Sequence, residues 1–366
     1  MKATTNSRRG PLFLSKIRSP ISLAAIATIA VMGSVTSGSA SAQVTDGVSL
    51  SGSVDNGFGY YHSGGKTTWA ATNGAYAASS LAMTGAEDLG GGYSSFFVLR
   101  SLFNSDTGVL VSGLAYASEA KVGLRTPYGQ VQAGRLFSLN DLFFLWNSPS
   151  SSNYAGAWNM ALNGYSAYWD NSIRYTSPEW NGLTGIIQHS FDIVGDQTPA
   201  DPHEGVGTEY AVNYANGPVQ LESVYEEAYK EALPATNYKA RRISAGGIYD
   251  FHYAKVHLAY YREVYSGPGQ PIPFDIKFAG VTVPISPFWR ATAEYGYRHY
   301  LAGSNSHTQF TGLGLFYLLS KSTSIYAEAA IVQNHGLASA YSIYHGPTVG
   351  PGINTSGVTL ELRHNF

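Results

Sequence analysis

Cysteine is absent from all 366 residues. That excludes a disulfide, a thiolate nucleophile and a thiolate-bound metal. Charge is scarce too. Charged residues make up 13% of the chain, about half the ~25% usual in soluble globular domains. Beyond residue 42 no apolar run reaches the roughly 18 residues that a membrane-crossing helix needs. Basic residues are the minority there, 17 Lys and Arg against 24 Asp and Glu, a formal charge of −7. That balance offers no electrostatic footprint for nucleic acid. The ten histidines show no His-x-x-x-His or similar ligand spacing. Gly-rich stretches lack the succeeding helix that a phosphate cradle uses. Glu87-Asp88 ahead of Gly90-Gly91-Gly92 lacks the alternating oxygen ligands of a calcium loop and reads as a tight turn. No nucleotide, metal or organic cofactor is called for, and no catalytic residue set is evident.

The first 42 residues differ in kind. Lys2, Arg8, Arg9, Lys16 and Arg18 stand without an acidic residue, and an apolar run extends from Ile21 to Met32. Small residues then end in Ala40-Ser41-Ala42. This is the pattern of a cleaved export signal, and the apolar run is too short to span a bilayer. The residues after Arg8-Arg9 fit a twin-arginine motif poorly. The expected organisation is a signal peptide over 1–42 and one folded domain over 43–366.

The chain is rich in glycine and tyrosine, with 41 and 27. Its dominant period is two. Val358, Leu360, Leu362, His364 and Phe366 alternate with Thr359, Glu361, Arg363 and Asn365. Ala291, Ala293, Tyr295 and Tyr297 alternate with Thr292, Glu294, Gly296 and Arg298. Successive strand residues point to opposite faces, so each segment has one apolar and one mostly polar face. Turn signals sit near Asp88–Gly92, Pro127–Gly129, Pro178–Gly182, Asn216–Pro218, Asp250–Ala254, Pro284–Pro287 and Leu319–Thr323. Most neighbouring turns lie about 35 residues apart, enough for two strands of about ten residues and one longer loop. Seven short turns and eight long loops make sixteen strands. An even count of antiparallel strands closes a barrel without an open edge, which a bilayer requires. The prolines between 263 and 290 blur the pattern there.

A secreted β-sandwich or propeller would alternate in the same way. No blade-length repeat is present. The terminal Phe366 is wasted apolar surface in water but suits a lipid interface. An outer-membrane hydrolase built on a barrel would need a serine activated by a histidine. His299 faces outward on its strand, but no serine stands at an arguable neighbouring position.

Five stretches in order resemble the Gram-negative trimeric porins of the β-proteobacterial type. They are the opening strand Val48–Tyr60, the first turn Thr84–Gly92, the run Val122–Arg135, the segment Asn171–Pro178 and the end Leu362–Phe366. The resemblance spans the mature chain. It implies an outer-membrane barrel of sixteen strands, a homotrimer in outer-membrane lipid, and a third extracellular loop folded into the lumen. It implies passive diffusion of small hydrophilic solutes and ions, or of one dedicated solute. It also implies that the barrel-assembly machinery reads the C-terminal strand ending in Phe366.

Such porins line one wall of the constriction with basic residues. At the three matching positions this chain has Ser80, Ser118 and Tyr168, none of them basic. All three are expected on the inward face. From Ser138 to Ala167 the only charged residue is Asp141, while Phe143, Phe144, Trp146, Tyr154, Trp158 and Tyr165 supply rings. Those rings either pin the loop to the wall or stack on solute. The expected eyelet is one of hydroxyls and rings with a weak transverse field and weak charge selectivity. Arg100, Arg135 and Arg174 are the basic residues expected near it, a source of mild anion preference. Glu119 and Lys121 fall on the nominal outward face. Either they pair in a subunit interface, or they lie above the membrane rim, or the register there is displaced by one.

Overall fold

The structure is a computed structural model. It describes residues 46–366 except 151–155, 157–159, 162–165, 194, 196–204, 230–237, 269, 302–304 and 340–349. The chain runs through β1 (Gly47–Ser63), β2 (Lys66–Asn73), β3 (Ser79–Gly90), β4 (Tyr93–Phe103), β5 (Glu119–Thr126) and β6 (Gly129–Phe137). A single α-helix comes next, α1 (Leu139–Asn147), the only one among the described residues. Then come β7 (Tyr168–Thr176), β8 (Leu183–Ser190), β9 (Gly207–Asn216), β10 (Val219–Tyr229), β11 (Lys239–Asp250) and β12 (Lys255–Ser266). The last five are β13 (Phe274–Pro284), β14 (Trp289–Tyr300), β15 (His307–Leu318), β16 (Thr323–His335) and β17 (Thr355–Asn365).

All pairings are antiparallel between sequence neighbours, and β17 returns to β1 to close the ring. β2 and β3 pair with the two halves of β1 and count as one interrupted wall strand, so the barrel has sixteen. Seven short connections fall at the expected turns, and β13 and β14 flank Pro284–Pro287, but β1 and β2 are joined by the two-residue turn Gly64–Gly65 where a longer loop was expected.

Burial follows the period of two. On β17, Val358, Leu360 and Leu362 are exposed while Thr359, Glu361 and Arg363 are buried. The exposed apolar side is the lipid face and the buried polar side lines the lumen. At the short-turn end, Tyr128, Trp180, Tyr253 and Phe288 stand exposed as an aromatic girdle. Phe366 ends β17 on the outward side. Its N–H and carbonyl both bond to Gly52 at 3.0 Å. The Phe366 ring lies where a Gly52 Cβ would sit, 2.6 Å away, so only glycine leaves room for it.

Candidate functional site

Between β6 and β7 the described residues of α1, Ser148 to Ser150 and Met160 contact the inward faces of β9 to β14. Helix α1 begins at the N-cap Ser138, whose hydroxyl accepts from the Asp141 N–H at 3.0 Å. Glu209 of β9 accepts from the Leu139 N–H at 2.8 Å and the Asn140 N–H at 3.2 Å. A carboxylate thus satisfies helix-start donors that have no partner inside the helix. A nine-residue helix is marginal alone; its buried face supplies the rest. Leu139, Phe143 and Phe144 are fully buried, and the Phe144 ring packs on Tyr261 at 5.1 Å and Phe278 at 6.4 Å.

Polar anchors continue along the loop. Asn140 donates to Glu226, which pairs with Arg242, which pairs with Glu263 at 2.8 Å. Asn147 presents its carbonyl to His257 Nδ1 at 2.9 Å. Ser148 and Ser150 donate to the Glu294 carboxylate at 2.9 and 3.0 Å. Arg298 donates to the Met160 carbonyl at 2.6 Å and stacks over Phe274. Phe143 and Phe144 therefore pin the loop. Trp146 is half-buried and Asp141 is buried in the first turn. Tyr154, Trp158 and Tyr165 lie outside the described residues.

The opposite wall carries a different arrangement. Arg100 of β4 pairs in register with Glu119 of β5, and their side chains meet at 3.5 Å. Lys121 also bonds to Glu119. Val122 and Leu124 are exposed while Glu119 is buried, so Glu119 and Lys121 face the lumen beside Arg100. This corrects the outward assignment: the register there is displaced by one. The reason is energetic, since a charge facing lipid at mid-depth costs about 2–4 kcal/mol. Ser118 accordingly falls on the other side; it is buried, and its N–H bonds to the Arg100 carbonyl at 3.4 Å. Arg174 of β7 is inward and donates to Gln188 Oε1 at 2.6 Å and to the Phe137 carbonyl. Lys121 lies within electrostatic reach of both Arg174 and Arg100, and Arg174 within reach of Glu209 at the start of α1.

Ser80 is buried on the inward face, 3.5 Å from the Ser53 hydroxyl. Tyr168 and Arg135 are placed otherwise than expected. Between the pairs Gly134–Ser172 and Leu136–Trp169, β6 has one residue and β7 has two. This β-bulge, with Asn171 at φ 47°, exchanges the two faces of β7. Trp169 takes the inward side, fully buried against Ile193 and Ala228. Tyr168 packs instead on Phe137, under the Arg135 guanidinium. Arg135 shares the side of the exposed Val131, bonds to the Ala117 carbonyl at 2.8 Å and pairs with Asp170. Neither residue joins the Arg100–Lys121–Arg174 group. The inward acids Glu209 and Glu226 went unread in the sequence, and Glu294 was placed on a polar face but not as a loop anchor. Their alternation with apolar neighbours such as Tyr210 and Tyr295 was the available signal.

The sequence model of the Gram-negative porin family matches residues 24–337. The chain belongs to that family. An outer membrane porin protein of Bordetella pertussis is 27% identical over 85% of this chain and 87% of its own. Outer membrane porin protein 32 of Delftia acidovorans is 27% identical over 94% and 99%. The major outer membrane protein P.IB of Neisseria meningitidis serogroup B is 25% identical over 94% and 96%. Among solved structures, an anion-selective porin from Comamonas acidovorans superposes with a TM-score of 0.78 at 23% identity, over 88% of this chain and all of its own. The closed wall, the wet inward face and the greasy outward face are those of an outer-membrane porin, a passive channel through the Gram-negative outer membrane.

Proposed function

We propose that this porin is a homotrimeric, weakly charge-selective diffusion channel with a slight preference for small anions. The observation that carries the reading is the inward group Arg100, Lys121 and Arg174, offset by Glu119 and by Glu209. The loop after β6 leans on β9 to β14, which leaves the β4–β7 wall to border the open lumen. Three cations against two carboxylates make a small excess, and Glu119 neutralises much of the local field. Ser80 adds a hydroxyl where a porin of the resembling type has a basic residue. Residues 1–42 act as a cleaved export signal, and β17 with Phe366 is the segment read during assembly. Solutes cross down their gradients, and no bond is made or broken.

The test is single-channel recording from refolded residues 43–366 in planar bilayers under a salt gradient. Openings in three equal steps, with a small reversal potential of anion-preferring sign, are expected. A strongly cation-selective reversal potential would overturn the charge reading. Single, ungrouped steps would overturn the trimer.

A further inference from the structure

The interruption between β2 and β3 is a second inward fold. Asn56 of β1 pairs with Asn73 and Ser53 pairs with Ser80. Two residues of β1, Val54 and Asp55, therefore face six, Gly74 to Ser79, so four are in excess. Gly74 begins the excursion at φ +76°, where a Cβ would meet the Ala77 carbonyl oxygen at 2.7 Å. Ala75 and Tyr76 are buried at 3% and 6% exposure.

Three successive backbone N–H groups of this segment point at side chains of the inner wall. Ala75 donates to Glu361 at 3.1 Å, Tyr76 to the Tyr326 hydroxyl at 2.9 Å and Ala77 to Asp55 at 3.5 Å. The Tyr326 hydroxyl bonds in turn to Asp55 at 2.6 Å and Glu361 at 2.8 Å. Arg363 ties Asp55 at 3.1 Å to the Ala77 carbonyl at 3.2 Å. The Tyr76 ring meets Phe316 and Tyr326 edge-on, and Arg290 lies over Phe316 at 4.1 Å. Buried backbone donors demand partners, and here every partner stands on the lumen side.

Tyr76 reaches across to β14–β16, and four residues along β14 from Arg290, Glu294 holds Ser148 of the long loop. Ala75, Tyr76, Phe143, Phe144 and Met160 belong to one buried apolar cluster. We propose that Gly74–Ala78 is a fixed strap that narrows this pore, a size-determining element separate from the loop after β6, with Tyr76 as its bulk. The proposal rests on the chain being a water-filled channel. The strap carries no charge, so it sets how large a solute passes and leaves ion preference to the β4–β7 wall.

Deleting Ala75–Ala78 removes the four surplus residues, an even number, so the inward–outward alternation of β3 is kept. The residues of the loop after β6 are unchanged, although the cluster they share loses Ala75 and Tyr76. Single-channel conductance of the deletion is expected to rise at least about 1.5-fold, in line with a wider constriction. The size of neutral polyethylene glycol that enters the pore is expected to rise with it. Tyr76→Ala is expected to move both readouts the same way by less. A deletion variant that folds, judged by heat-modifiable gel migration, yet keeps the original conductance and exclusion size would overturn the proposal. If the deletion does not fold, Tyr76→Ala decides, and an unchanged exclusion size overturns it. Absence of any opening from the unaltered protein would instead break the channel reading itself.

Discussion

The two sides of the lumen use charge to opposite ends. On the β9–β14 side, Glu209, Glu226, Glu294, Arg242 and Arg298 hold the protein's own chain in place. Arg242 is the extreme case, with a side chain 1% exposed between two carboxylates. On the β4–β7 side, Lys121 keeps 15% exposure, and Arg100, Lys121 and Arg174 share Glu119, with Glu209 also within reach of Arg174. A count of inward charges would treat both walls alike. What decides is whether a folded-in segment covers the wall. The β9–β14 charges hold the loop, while Arg100, Lys121 and Arg174 are the ones proposed to act on permeating ions, although Arg100 and Arg174 are themselves buried.

The sharpest way to break this contrast is Arg242→Ala. It leaves Glu226 and Glu263 buried without their cation, a loss of about 3–5 kcal/mol. The temperature of heat-modifiable gel migration should fall markedly while the reversal potential stays put. A changed selectivity in the folded variant would erase the distinction between the walls. Glu209→Ala comes next. The start of α1 loses its accepting carboxylate, worth about 1–2 kcal/mol, and open-channel current should become noisier as the loop loosens. A silent trace would mean that the aromatic contacts of Phe143 and Phe144 hold the loop alone. The smallest effect belongs to Lys121→Gln. It should shift the reversal potential slightly toward cations with a smaller loss of thermal stability than Arg242→Ala, because Arg100 stays beside Glu119. A stability loss as large as that of Arg242→Ala would place Lys121 with the structural charges.

Much of the wall was legible because its signals are local. Glycine, proline and asparagine marked five of the seven expected turns, aspartate or serine the other two, and alternation set which face of β17 and β14 is greasy. The charge-poor segment after β6 announced a loop unlike the others. Three features were not legible, for one shared reason. Each breaks the period of two through a contact distant in sequence. The bulge at Asp170–Asn171 hands the inward place from Tyr168 to Trp169. The displaced register at Glu119 depends on its partner Arg100 across the pair. The excursion at Gly74–Ala78 is held by Glu361 and Tyr326, about 250 residues or more away in the chain. Its entry, Asn73-Gly74, is a turn dipeptide that marks a break, but the following Ala-Tyr-Ala-Ala gives no sign that the chain folds inward.

The meeting of Phe366 with Gly52 bears on timing. Every other pair of neighbouring wall strands can zip as a hairpin from consecutive chain. The junction of β1 with β17 joins the two ends of the molecule, Ser53 with Asn365 and Asp55 with Arg363. Contacts of such separation form slowly and late. Until β17 pairs with β1, both margins of the sheet stay open. A nascent wall must therefore be shielded from pairing with its neighbours until β17 meets β1.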